Sequence, residues 1–221
     1  MTWTLAILCG GQSRRLGTDK GLYRPRGEGE PLVVRMLRAL GADASDRIVV
    51  VRDAAQRELY QDKLRDLSLR IRIVTDEDLD PTAPRAAIVG VRTALAAAWG
   101  DPVFILPVDQ VGAKRAHVDA LLACLDRDDR YGDFLTTKGQ RSAAFYDALD
   151  RPLPFPSVWE RGLEPALVGA IASEALSVKG ALAAVNALPA AHPAEIPMDS
   201  LLVASNTQAE LDALDAAGSL P

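Results

Sequence analysis

The run Thr4-Leu5-Ala6-Ile7-Leu8-Cys9, followed at once by Gly10-Gly11, decides the fold. A short, mainly apolar segment ending in two glycines is the pattern of a buried strand feeding a tight loop. Three more strand-like runs follow. Ile48-Val49-Val50-Val51 lies within Arg47 to Val51, and Val103-Phe104-Ile105-Leu106 ends at Pro107-Val108-Asp109. Between them, Leu69, Ile71 and Ile73 alternate with Arg70 and Arg72, which suits a strand nearer an edge. Helical patterns separate these runs. Pro31 opens one through Leu40, with Leu32, Met36, Leu37 and Leu40 at helical spacing and Gly41 as its stop. Others run from Ala54 to Leu64, Ile88 to Trp99 and Ala113 to Leu125, while polar, proline-bearing Asp76 to Arg85 reads as a loop. Strand and helix alternate four times. That order predicts an α/β protein, a single three-layer α/β/α domain with a Rossmann-like, mostly parallel sheet.

After about residue 130 the pattern changes. Phe134 to Thr137 and Ser142 to Tyr146 are β-like runs around Lys138-Gly139-Gln140, a hairpin that would make a small antiparallel addition. Arg151 to Trp159 carries Pro152, Pro154 and Pro156 and reads as an irregular excursion rather than a strand. Helical stretches follow at Glu164 to Ile171, Val178 to Leu188 and Gln208 to Ala217, with short strands expected at Ile196 and at Leu201 to Ala204. Few residues remain to build a second core, so one domain over 1–221 is expected.

Composition narrows the function. Lys and Arg number 25 against 30 Asp and Glu, a net charge of -5, which excludes a chain-wide basic surface for nucleic acid or membranes. No span reaches the roughly 18 apolar residues of a membrane helix. No basic stretch precedes Leu5 to Leu8, so a signal peptide is not expected. The two cysteines, Cys9 and Cys124, cannot alone form a zinc site or a disulfide framework, and free thiols in a reducing cytoplasm are expected. Cys9 reads as a buried thiol at a strand end. His117 and His192 sit in no recognisable motif and read as surface or structural residues.

Against this acidity stands one basic stretch. From Arg14 to Arg26 the charges are Arg14, Arg15, Lys20, Arg24 and Arg26 against Asp19, a local balance of +4. It lies in the loop that begins with Gly10-Gly11 and includes Gly17, where the backbone can approach a ligand closely. Exposed N–H groups in such a loop make an anion-binding concavity, to which Arg15 and Lys20 add fixed charge. A phosphate-rich ligand such as a nucleoside triphosphate fits at this strand end. The spacing is not that of a P-loop, because Thr18 rather than lysine follows Gly17, nor that of the dinucleotide fingerprint.

The whole segment Leu8-Cys9-Gly10-Gly11-Gln12-Ser13-Arg14-Arg15-Leu16-Gly17-Thr18-Asp19-Lys20 resembles the signature L-A-G-G-x-S-x-R-M-G-x-D-K of the molybdenum cofactor guanylyltransferases, a family of nucleotidyltransferases. Cys9 stands for Ala and Leu16 for Met. Gly21-Leu22, Pro31-Leu32, Leu106-Pro107-Val108-Asp109 and Ser205-Asn206-Thr207 through Glu210-Leu211 follow the family order. The resemblance implies the nucleotide-diphospho-sugar transferase type of fold. It implies that a phosphate of molybdopterin attacks the α-phosphate of GTP and releases pyrophosphate, with Mg²⁺ as cofactor. It also implies roles. Arg15 and Lys20 would hold phosphates, and Leu8, Cys9, Gly10 and Gly11 would contact the nucleotide chiefly through backbone. Asp109 would hold Mg²⁺, Asp76 would be a further nucleotide or metal-side contact, and Asn206 would lie near the metal or acceptor phosphate. The nucleotide-binding half would span about 1–130 and the acceptor side about 131–221.

The chain departs from the family at four further places. Arg52-Asp53 stands where the family has an asparagine, and Ala86-Ala87-Ile88-Val89-Gly90 stands for G-P-L-x-G. Ala204 replaces a usual asparagine and Gln208 a usual proline. The first two segments help form the base pocket in the family, so base choice stays open. A cytidylyltransferase, a nucleotidyltransferase with another acceptor phosphate, and a nucleotide-binding relative without catalysis are the alternatives.

Overall fold

A computed structural model describes residues 2–11, 19–24, 29–65, 67–127, 140–197 and 207–220. The strands are β1 (Thr4–Leu8), β2 (Asp46–Val51), β3 (Arg72–Thr75), β4 (Val103–Pro107), β5 (Ser142–Tyr146), β6 (Pro152–Trp159) and β7 (Leu188–Pro189). The α-helices are α1 (Leu32–Leu40), α2 (Ala54–Leu64), α3 (Asp76–Leu79), α4 (Ala87–Ala97), α5 (Arg115–Arg127), α6 (Glu164–Ala172), α7 (Val178–Ala184) and α8 (Gln208–Ala216). The sheet runs in the order β3-β2-β1-β4-β6-β5-β7. The first four strands are mutually parallel, and β6 lies antiparallel to both β4 and β5.

Side-chain alternation along the strands builds the three layers. Leu5, Ile7, Val49, Val51, Phe104 and Leu106 turn to one face, under α1, α2, α5 and α8. Ala6, Ile48, Val50, Val103 and Ile105 turn to the other, under α4, α6 and α7. Both faces are buried, which is why these strands read as continuous apolar runs. In α1, Leu32, Met36, Leu37 and Leu40 are all buried, and burying each such side chain stabilises by roughly 1.5–3 kcal/mol. Pro31 caps α1 rather than occupying its first turn.

The antiparallel addition is present, but its composition differs from expectation. The proline-bearing stretch is a strand, β6, in the interior of the sheet. The reason lies in the register. Pairing with β4 involves Ser157, Val158 and Trp159, which contain no proline and keep their N–H groups. The three prolines lie beyond that ladder, and β5 meets them only after a register shift, with Tyr146 opposite Pro152. The loop expected at Asp76 opens with the single turn of α3, seeded by Thr75, whose hydroxyl accepts the Asp78 N–H at 3.0 Å. The helix expected through Leu188 ends at Ala184, and Leu188–Pro189 pairs with β5. Ile196 is not in a strand. The strand expected at Phe134 to Thr137, with Lys138 and Gly139 of its turn, and the strand expected at Leu201 to Ala204 lie outside the described residues.

Candidate functional site

The chain leaves β1 for β2 on one side, and returns after β3 to place β4 on the other. This reversal between β1 and β4 opens a crevice at the carboxyl ends of the parallel strands, the general ligand position in such sheets. Two backbone bonds hold its rim. Val108 N–H donates to Leu8 O at 3.0 Å, and Cys9 N–H donates to Val50 O at 2.7 Å. The Cys9-Gly10-Gly11 backbone therefore leaves the sheet between the ends of β2 and β4. Among the described residues, nothing lies within 4 Å of where a Cβ on Gly11 would stand, while one on Gly10 would meet the Arg52 backbone at 3.5 Å.

The sequence-derived residues gather unevenly around this rim. Cys9 is buried against Tyr60. Burial pushes its thiol far up, and the neighbouring Asp19 and Asp109 carboxylates add to that push. It therefore stays a neutral thiol, a wall of the site and not a nucleophile. Gln56 Nε2, which donates to both Cys9 O and Asp19 Oδ2, and the Val108–Leu8 bond just before Asp109 place both carboxylates at the Cys9 end of β1. Asp109 is half-buried in the turn after β4 and makes no hydrogen bond or ion pair among the described residues. Lys20 is 8% exposed and begins a 3₁₀ turn, Lys20–Leu22, capped by the Asp19 carboxylate. Leu8 packs beside α4, where a Cβ on Gly90 would come 3.4 Å from its side chain.

Asp76 starts α3 at the end of β3 and accepts the Thr93 hydroxyl at 2.7 Å. Burial raises its pKa, and the Thr93 bond opposes the rise. β3 stands three strands from β4, roughly 14 Å away at the usual spacing. Asp76 therefore shares the carboxyl-end edge of the sheet with Asp109, but the structure does not bring the two together. No group of three or more His, Cys, Asp or Glu that could hold a metal occurs among the described residues. A single open carboxylate still fits Mg²⁺, which is usually held by one or two carboxylates plus substrate phosphates. Arg15 and Asn206 lie outside the described residues. Thr207, next to Asn206, caps α8 in a capping box with Glu210.

Residues assigned no site role from sequence support these elements. The Asp53 carboxylate caps α2 by accepting the Gln56 N–H at 2.9 Å and pairs with Arg52 Nε at 2.5 Å. Tyr23 donates its hydroxyl to Asp212 of α8 at 2.9 Å, and Arg35 of α1 pairs with Asp215 at 2.6 Å. The C-terminal helix thus braces the chain just beyond Lys20. Gln56 and Tyr60 reach Asp19 from α2. Their signal is a buried Gln–Tyr–Leu stripe at i, i+4, i+8, Gln56, Tyr60 and Leu64, where only apolar residues are usual. His117, expected to be surface or structural, is fully buried and structural.

Comparison with known proteins follows from this geometry. The model of the MobA-like NTP transferase domain matches residues 5–216. A protein of Methanothermobacter thermautotrophicus, named a probable molybdenum cofactor guanylyltransferase, is 39% identical over 106 residues, covering 48% of this chain and 49% of that protein. The molybdenum cofactor guanylyltransferase of Ectopseudomonas mendocina is 33% identical over 122 residues, 54% of each chain. The chain spans about half the length of the curated relatives it matches. In fold, it is similar to molybdopterin-guanine dinucleotide biosynthesis protein A from Archaeoglobus fulgidus, with a TM-score of 0.70, 18% identity and 98% of both chains covered. A match to the domain model over nearly the whole chain, on a sheet with this strand order, means that the protein belongs to the MobA-like NTP transferase family.

Proposed function

We propose that the protein is a nucleotidyltransferase that joins the GMP moiety of GTP to a phosphate of molybdopterin. The observation that carries this reading is the strand end itself: Gln56 joins Cys9 O to the Asp19 carboxylate that precedes buried Lys20, and Asp109 follows Val108, which is bonded to Leu8 at the β1/β4 crevice. An acceptor phosphate oxygen forms a bond to the α-phosphorus, the bond from that phosphorus to the β-bridging oxygen breaks, and pyrophosphate leaves with the electron pair. Attack of one anion on another requires charge neutralisation and alignment. Lys20, with Arg15 from the same basic stretch, holds the phosphate oxygens. The backbone of Leu8, Cys9, Gly10 and Gly11 lines the nucleotide, and Asp76 is a further contact on the nucleotide or metal side. Asp109 would hold Mg²⁺, which when bound screens phosphate charge and steadies the leaving pyrophosphate. Asn206 belongs on the acceptor side.

On this reading the chain is one domain, with the nucleotide half to about residue 130 and the acceptor side in 131–221. No helix among the described residues is long and apolar enough to cross a membrane, and a cytoplasmic site of action accords with the two free cysteines. The test is pyrophosphate release with each of the four ribonucleotides, Mg²⁺ and molybdopterin. Turnover fastest with GTP is expected. A clear preference for CTP would replace guanylyl with cytidylyl transfer, which Arg52 at the crevice rim leaves chemically open. Absence of turnover with every nucleotide would overturn the enzyme reading.

A further inference from the structure

Gln56 and Tyr60 lie one turn apart on α2, 6% and 0% exposed, and their polar ends meet the Asp19 carboxylate. Tyr60 donates its hydroxyl to Oδ1 at 2.5 Å, and Gln56 Nε2 donates to Oδ2 at 2.5 Å. Gly21 N–H donates to Oδ1 at 3.1 Å. The same Gln56 amide nitrogen lies 2.8 Å from Cys9 O, and its Oε1 accepts the Arg52 N–H at 2.8 Å. One side chain therefore joins the end of β1, the residue before Lys20 and the loop after β2. Burial holds the Tyr60 phenol protonated, so it remains a donor. On the other side of Lys20, a Cβ at Gly21 would stand 2.2 Å from the Tyr60 hydroxyl, so only glycine permits this approach. The backbone is thus fixed on both flanks of Lys20 by one face of α2.

A lysine ammonium rides on a flexible four-carbon stem, so its aim depends on where its Cα is anchored. We propose that Gln56 and Tyr60 are positioning residues that, through Asp19 and Gly21, set the placement of Lys20 toward the triphosphate. This inference rests on the nucleotidyltransferase reading above. A purely structural role would lower stability and leave the affinity of folded protein unchanged. A role through Lys20 makes the effect of Tyr60 depend on Lys20.

The experiment is a double-mutant cycle on equilibrium binding of whichever Mg²⁺-ribonucleoside triphosphate the wild type binds most tightly. Tyr60→Phe, Lys20→Ala and the double variant are compared below their melting temperatures. Loss of one hydrogen bond to a carboxylate should raise Kd about tenfold with Lys20 present. It should raise Kd less than about twofold in the Lys20→Ala background, because coupled residues are non-additive. Gln56→Met, of similar volume and without the amide, gives the same test should Tyr60→Phe fail to fold. Equal fold-changes in the two backgrounds, or an unchanged Kd, would overturn the inference and leave the nucleotidyltransferase reading standing. Failure of the wild type to bind any of the four triphosphates would overturn both.

Discussion

The backbone N–H of Val108 donates to the carbonyl oxygen of Leu8 at 3.0 Å, carrying the β1–β4 pairing past the end of β4. Asp109 follows directly on this fixed point and has no hydrogen bond or ion pair of its own among the described residues. Asp109→Asn should therefore leave thermal stability within about 0.5 kcal/mol of wild type. Mg²⁺-dependent pyrophosphate release should fall at least about tenfold. Calorimetric melting and a Mg²⁺ titration of turnover check the two halves. Unchanged activity would remove Asp109 from the metal role.

Lys20→Ala removes a charge-assisted contact worth roughly 1.5–3 kcal/mol, which is about ten- to a hundredfold in triphosphate affinity or kcat/KM. Initial-rate kinetics across triphosphate concentrations measure it. Kinetics like those of wild type would exclude Lys20 from phosphate binding.

Gly21→Ala places a methyl group against the Tyr60 hydroxyl and the Cys9 thiol. Overpacking of this kind costs roughly 1–3 kcal/mol. Urea unfolding should show that loss, and Tyr60→Phe in the same chain should recover part of it by removing the nearest atom. A loss that Tyr60→Phe leaves untouched would place the clash elsewhere.

At the opposite edge of the sheet, the buried Asp46 carboxylate accepts Arg72 Nε at 3.0 Å and Nη2 at 2.5 Å, and the Trp99 N–H at 3.0 Å. Burial alone would raise its pKa, but the Arg72 and Trp99 bonds outweigh it and hold the carboxyl below its usual range. Arg72 also lies 3.9 Å over the Trp99 ring. Asp46→Ala should destabilise by about 2–3 kcal/mol, because it leaves a half-buried guanidinium unpaired. A depressed folded pKa means that the stabilisation is present above about pH 4 and is lost as pH falls through the lower folded value. The wild type should thus lose melting temperature more steeply than Asp46→Asn below that pH.

His117 supplies a second acid dependence at higher pH. Its Nδ1 accepts the Lys114 N–H at 2.9 Å, so the ring proton sits on Nε2, 3.2 Å from His192 Nε2. Burial, with the nearby His192 and Lys114 charges, lowers its pKa to about 4. Between about pH 6.5 and 4 the unfolded chain binds a proton that the folded chain refuses, so stability is full above pH 6.5 and falls toward pH 4. The contribution is roughly 1–3 kcal/mol. Melting temperatures from pH 7 to 5 should decline in the wild type and stay flatter in His117→Gln, whose amide oxygen can still accept the Lys114 N–H.

Much of this architecture is legible in the sequence because both faces of the parallel strands are covered. Val49, Val50 and Val51 announce β2 by composition alone, and Leu32, Met36, Leu37 and Leu40 announce α1 by period. β6 is not legible, since proline argues against an interior strand until the register shows which residues need their N–H groups. β7 is two residues long, too short for any period. Of the proposed site, Lys20 and Asp109 are readable from a glycine-rich strand end and from a strand-terminal acid. Gln56 and Tyr60 are not, because their significance comes from a partner 37 and 41 residues away. Asp19 looked like the one dissenting charge in a basic stretch. It is the point by which residues 19–21 are tied to α2.

The reversed direction of β6 has a consequence for how this enzyme family can diversify. Because β6 runs against β4, its first residues and the last residues of β5 reach the same edge as Asp109, and Gln110 Nε2 donates to Phe155 O there at 3.2 Å. The turn joining β5 to β6 is short and closed on itself, with the Asp147 N–H donating to Arg151 O at 2.9 Å. Exposed loops accept insertions that strands do not. If the nucleotide and acceptor sit as proposed, lengthening or recharging that turn would reshape the acceptor wall while β1, α2 and β4 keep their places. On the proposed function, the sheet separates two evolutionary tasks, a fixed grip on triphosphate and an adjustable choice of what receives the nucleotide.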